Sequence, residues 1–234
     1  MISCFIIMAV GAILFVWYII SKCKKYDLKE LFIKICVSLL FIVVALVATL
    51  NSNKFSIVNV LIITGLTFGL IGDILLDLKY IDLERSSAYT YAGFIVFGLG
   101  HIMYIASLII NFYIKGGVLY IILPIVLDIA LSATTILMEK PLKLNYGKLK
   151  KISFCYAMCL FGTCSFSLFL AIQNGFQILS LNLFLIGAIL FAASDLILSG
   201  TYFGEGKERP IDFILNYSTY YAAQFIIALL LLFL

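Results

Sequence analysis

Two aspartates stand inside apolar runs long enough to cross a bilayer. Asp73 lies in Gly69-Leu-Ile-Gly-Asp-Ile-Leu-Leu-Asp77, and Asp195 in Leu190-Phe-Ala-Ala-Ser-Asp-Leu-Ile-Leu198. An ionisable group at membrane depth is costly, faces a cavity or a partner, and marks a functional site by default. Two carboxyls that share a low-dielectric pocket do not ionise together easily, so one can hold a proton that the other lacks. Such a pair titrates as a unit. It is a device for acid/base chemistry.

Other polar groups fall at similar depth. Lys34 opens the second apolar run, with a long stem that could instead snorkel to headgroups. Asp77 lies nearer a helix end, where water can reach it. His101 sits near mid-span with Tyr104 one turn on, Ser194 precedes Asp195, and Tyr220, Tyr221 and Gln224 share the last run. The two tyrosines also suit an interfacial aromatic belt. Asp128 is intramembrane as well and has no evident partner.

These side chains need a scaffold, and composition says which. The 234 residues are 64% hydrophobic and only 12% charged, against roughly 25% charged in soluble domains. The chain reads as one integral membrane domain over 1–234, and its net charge of +4 does not point to nucleic acid. Runs of about 20 apolar residues span a bilayer core as helices. Eight are expected, at 2–20, 32–50, 57–77, 90–111, 117–137, 152–171, 180–199 and 216–234. The fold class is therefore an all-α polytopic bundle. The turn between the fourth and fifth runs is marked by Asn111 and Lys115-Gly116-Gly117.

Basic residues are sorted by side. Thirteen of sixteen fall in the first, third, fifth and seventh connections: Lys22, Lys24, Lys25, Lys29; Lys79, Arg85; Lys140, Lys143, Lys148, Lys150, Lys151; Lys207, Arg209. The positive-inside rule places these connections in the cytoplasm and both termini outside it. The first run lacks a basic segment before it, which suits a retained helix rather than a cleaved signal. The stretch from Gly200 to Pro210 reads as a solvated loop.

Asp73 precedes His101 by 28 residues and Asp195 precedes Gln224 by 29, which hints at two parallel repeats of four helices. Small residues, among them Gly65, Gly69, Gly72, Gly93, Gly98, Gly100 and Gly187, permit close helix contact. None of the six cysteines forms a Cys-x-x-Cys pair, and most suit the role of small hydrophobes. A zinc site is not expected with one histidine. Neither a Gly-x-Ser-x-Gly elbow nor a glycine-rich phosphate loop occurs.

Four motifs together resemble the YhhN family of membrane proteins. They are Gly72-Asp73-Ile-Leu-Leu, Phe97-x-x-Gly100-His101-x-x-Tyr104, Gly187-Ala-x-x-Phe191-x-x-Ser194-Asp195-x-x-Leu198 and Thr219-Tyr220-Tyr221-Ala-Ala-Gln224. The resemblance covers nearly the whole chain. The family often has Lys-Pro in the second span, where this chain has Lys34-Ile35. Characterised animal members are lysoplasmalogenases, which release a fatty aldehyde and glycerophosphoethanolamine or glycerophosphocholine from a lysophospholipid vinyl ether. The resemblance implies that activity here, with Asp73 and Asp195 as the catalytic pair. Tyr220, Tyr221 and Gln224 would orient water or a carboxyl. His101 and Tyr104 would line the pocket, and Lys34 would meet the phosphate. The substrate would enter sideways from the inner leaflet, and membrane lipids would be the other partners. No metal or cofactor is required. In a bacterium the host membrane would be the plasma membrane.

Rival readings use the same residues. Intramembrane acids serve transporters and channels as ion or proton sites, and glycines at 69, 72, 98 and 100 could mark broken helices. A hydrolase acting on another lyso-lipid, or a non-catalytic lipid binder, would share the scaffold.

Overall fold

The computed structural model describes residues 1–22, 28–52, 54–112, 118–204 and 209–234. The expected turn at Lys115-Gly116-Gly117, and Cys23, Lys24, Lys25 and Lys207, lie outside the described residues, as does the Lys22 side chain. Among the described residues eight helices are long and apolar enough to cross a membrane. They are α1 (Ile2–Lys22), α2 (Leu28–Ser52), α3 (Ile57–Leu78), α4 (Ser86–Asn111), α5 (Leu119–Leu137), α6 (Lys150–Gln173), α7 (Leu179–Phe203) and α8 (Pro210–Leu229), the last running into a 3-10 turn, Leu230–Phe233. Helices satisfy their own backbone groups, which hydrocarbon cannot do.

Several ends differ from expectation. α7 runs one turn further, to Phe203, because Tyr202 and Phe203 are aromatic and have surfaces to pack on. Phe203 lies 4.6 Å from Tyr146 between ring centroids and stacks on Phe94 at 6.3 Å. α8 begins six residues early, at Pro210, a residue suited to a first helical position. Arg209 closes that end with two hydrogen bonds to Asp212, 2.7 and 2.8 Å long. Gly200–Phe203 and Pro210 are therefore helix, not loop, and 205–208 lie outside the described residues. Both α3 and α4 continue unbroken through Gly69, Gly72, Gly98 and Gly100, so these glycines do not mark broken helices.

The start of α3 is held by Asn59, whose Oδ1 accepts from the Ser56 backbone and hydroxyl at 3.0 and 2.7 Å. Its Nδ2 donates to Thr49 on α2 at 3.3 Å, so one buried side chain fixes both helix ends.

Helix adjacency repeats with a period of four. α1 packs on α2, α2 on α3 and α3 on α4; α5 packs on α6, α6 on α7 and α7 on α8. The halves join through equivalent helices, α2 on α8 and α6 on α4. Two contacts fall outside that order, α3 on α8 and α1 on α8. In the bundle α1 and α5 are peripheral and largely lipid-facing.

The small residues work where helices touch. A Cβ at Gly65 would lie 2.4 Å from the Tyr104 ring, and one at Gly72 would lie 2.5 Å from Phe97. Phe97 cannot yield readily, because its ring is edge-on to both Phe191 and Tyr220, with centroids 6.1 and 6.0 Å away. Gly72→Val should therefore overpack the α3–α4 seam. We expect about 1–3 kcal/mol of destabilisation, seen as a lower melting temperature of the detergent-solubilised protein.

Candidate functional site

One end of the bundle gathers its buried charges. On α2, Lys34 is about 9 Å from the helix start; on α3, Asp73 is about 8 Å from the helix end. The Lys34 ammonium lies 3.2 Å from Asp73 Oδ1 and 3.0 Å from Asp77 Oδ1. All three side chains are 5% exposed or less. Asp73 and Asp77 are one turn apart on α3, so a single cation on α2 reaches both. The ring of Tyr217 lies 4.9 Å from the same ammonium.

Each carboxylate has further donors. Asp73 Oδ2 accepts from Ser38 Oγ at 2.7 Å and from Tyr220 OH at 2.9 Å. Ser38 in turn meets Tyr221 OH at 3.0 Å. Behind Tyr220 runs a directed chain: Tyr104 donates to Gln224 at 3.2 Å, and Gln224 donates to Tyr220 at 3.0 Å. Gly69 makes room for it, since a Cβ there would fall 2.4 Å from Gln224 Nε2. Asp77 takes Tyr18 OH at 3.3 Å and Tyr217 OH at 3.4 Å.

Asp195 is held differently. Tyr156 on α6 donates to its Oδ2. Among the described residues no cation lies within ion-pair distance of it. Tyr156 precedes Asp195 by 39 residues, and Lys34 precedes Asp73 by 39. A tyrosine and a lysine thus stand at the same separation ahead of the two acids.

Both acids border one cavity of about 30 Å³, together with Lys34, Tyr156, Ser194, Asn216 and Tyr220. That volume suffices for a water molecule, which needs roughly 10–15 Å³. Asn216 donates to the Ser194 carbonyl at 2.8 Å and to its hydroxyl at 3.0 Å, fixing the α7–α8 wall. On its other side Asp195 opens on a larger apolar cavity of about 360 Å³. No three of the described His, Cys, Asp and Glu side chains gather as metal ligands.

The structure brings Lys34, Asp73, Ser194, Asp195 and Tyr220 to the polar cavity. Asp77, Tyr221, Gln224 and Tyr104 stand one step behind it. Asp77 is fully buried, so its expected contact with water is corrected: the lysine draws it in. Lys34 is buried and pairs with both carboxylates. His101 borders neither cavity; its Nδ1 meets Thr163 Oγ1 at 3.1 Å, and its ring packs on Phe191 and Tyr156 with centroids 4.6 and 5.9 Å away. Asp128 gains a partner, Ser132, 3.2 Å away on its own helix.

Comparison with known proteins agrees with the motifs. The YhhN family model matches residues 29–231. The chain belongs to the YhhN family. No curated protein and no solved structure matches it. Every residue of the buried cluster named above except Tyr18 lies within the matched stretch.

Four partners escaped the sequence reading. Ser38 is one helical turn from Lys34, and Tyr217 one turn from Tyr221, so a same-face rule finds both. Tyr156 is found by applying the repeat offset to Lys34. Tyr18, on α1, left no signal.

Removing one partner of a buried ionic cluster leaves uncompensated charge. Lys34→Met should cost about 3–5 kcal/mol, read as a fall in melting temperature larger than that of Asp73→Asn.

Proposed function

We propose that the protein hydrolyses the vinyl ether of a lysoplasmalogen to a fatty aldehyde and a glycerophosphoethanolamine or glycerophosphocholine. Family membership supports the reaction class. The observation that carries the reading is one small cavity bordered by two carboxyls, one beside a lysine and the other beside only a tyrosine.

The two environments divide the roles. Asp73, facing an ammonium and two hydroxyl donors, suits the ionised form. Asp195, with an apolar cavity on one side, suits the protonated form and is the acid. In R–CH=CH–O–R′ the double-bond electrons take the Asp195 proton onto the carbon distal to oxygen. The ether oxygen then shares the positive charge as an oxocarbenium ion, which the Asp73 carboxylate stabilises. Water in the polar cavity adds to the oxygen-bearing carbon and gives its proton to Asp73, forming a hemiacetal. Collapse returns that proton from Asp73 to the departing alcohol oxygen, while the hemiacetal hydroxyl proton passes to Asp195. The aldehyde leaves and both carboxyls regain their starting states.

Lys34 and the Tyr104–Gln224–Tyr220 chain hold Asp73 in place. The cavity's small size keeps the water near both acids. Acid/base help of this kind contributes roughly 10²–10⁴-fold.

The test is aldehyde release from a lysoplasmalogen by the purified protein. Asp73→Asn and Asp195→Asn should each lower kcat by at least about 100-fold while the circular dichroism of the helices is unchanged. Release that persists in either variant, or no release by the parent with any headgroup, sinks the reading.

A further inference from the structure

The larger cavity lies between α5 and α7, with α6 as its floor. Asp195 is the one carboxyl in its described wall; the remainder is apolar or hydroxyl-bearing, including Leu131, Thr134, Leu160, Phe161 and Leu198. At about 360 Å³ it falls in the range of small-molecule sites. Along α6 it runs from Ser153 to Phe161, about 12 Å at helical rise. Its flank is open to the bilayer, because the rim residues Leu196 and Met138 are 56% and 39% exposed.

The two ends differ. The deep end, at Leu131 and Phe161, is apolar. The other end is roofed by the α5–α6 turn, through Leu142, Leu144 and Tyr146. That turn is tied to the end of α7: Leu144 bridges to Gly204, the Asn145 amide donates to the Phe203 carbonyl at 2.8 Å, and Tyr146 OH meets Ser199 Oγ at 3.2 Å. It carries the exposed lysines Lys140, Lys143 and Lys148.

We propose that this cavity binds the hydrocarbon chain of a single-chain ether phospholipid at its ether end, and that the α5–α6 turn, not Lys34, meets the phosphate. The proposal rests on the hydrolase reading for the bond it sets beside Asp195. Three features select this occupant. The walls match a hydrocarbon chain. Asp195 and Tyr156 border both cavities, so a chain lying here presents its first bonds to the acid and to the water site. The lysines complement an anionic headgroup at the interfacial end. The deep end is only about 8 Å beyond Tyr156, less than the roughly 15 Å of one hydrocarbon leaflet. The remainder of a long chain therefore leaves between α5 and α7 into the bilayer. Leu131 and Phe161 grip the first carbons and do not measure the whole chain.

The test uses a saturated single-chain ether glycerophospholipid, which has no vinyl ether to hydrolyse, carrying a photoactivatable diazirine near its ether end. Adducts on the full-length protein are mapped by mass spectrometry, with and without excess unlabelled lipid. We expect competable adducts on 131–138, 157–161 and 196–199. Adducts that do not compete, or that fall mainly outside the cavity wall, as on α1, overturn the chain site. Thr134→Trp, at an exposed rim position, should lower labelling by at least about tenfold with an unchanged melting temperature; undiminished labelling overturns the site. Lys140→Ser with Lys143→Ser should weaken labelling by the phospholipid but not by the same chain on uncharged glycerol. Equal effects on both probes, or no effect, overturn the headgroup assignment. Labelling without aldehyde release would sink the hydrolase reading alone, and aldehyde release without cavity labelling would sink this one alone.

Discussion

One ammonium held between two carboxylates, all out of water, is the constraint on which the site depends. Taking such charges into hydrocarbon costs several kcal/mol each unless geometry and further hydrogen bonds compensate. Here the compensation comes from four helices. Lys34 and Ser38 come from α2, Asp73 and Asp77 from α3, Tyr217 and Tyr220 from α8, and Tyr18 from α1. No one helix can satisfy the cluster. The glycine seams of α3 are what let the bulky hydrogen-bonding side chains Tyr104 and Gln224 reach the same place.

The two acids sit at matching places in the helix order. Four helices and their successors pack in corresponding order, and each half contributes an acid on its third helix. A strict duplicate would give two equivalent carboxyls. The chain breaks the equivalence around the acid: a lysine in the first half and a tyrosine in the second stand 39 residues ahead of it, and Leu160 and Ser199 stand where the first half has Ser38 and Asp77. A symmetric scaffold is thereby fitted with unlike groups, which acid/base chemistry requires. In the second half an apolar cavity lies between α5 and α7, with Asp195 in its wall.

Much of this was legible in the sequence, for identifiable reasons. Eight apolar runs announce eight helices, because hydrocarbon admits little else. Asp73 and Asp195 stood out because acids are rare in such runs, and Tyr220 and Gln224 because they share one helical face. Helix ends were misjudged where aromatic residues such as Tyr202 and Phe203 extend a helix past its apolar window. A sequence presents Asp77 and Lys34 one at a time, whereas the burial of each follows only from the other. His101 was placed at the pocket on its chemistry, but its depth puts it behind Tyr156 and Phe191. The hydrogen bond from Tyr18 to Asp77 depends on how α1 packs on α2 beside α3, and no local pattern encodes that.

The most direct measurement of the proposed chemistry is isotopic. The aldehyde produced from a lysoplasmalogen in deuterium oxide should carry one deuterium on the carbon next to the carbonyl, since the first step moves a solvent-exchanged carboxyl proton to that carbon. One deuterium per aldehyde, formed faster than exchange in a preformed aldehyde control, is the expected result. Aldehyde without deuterium at that carbon would contradict proton transfer from a carboxyl as the step that breaks the vinyl ether.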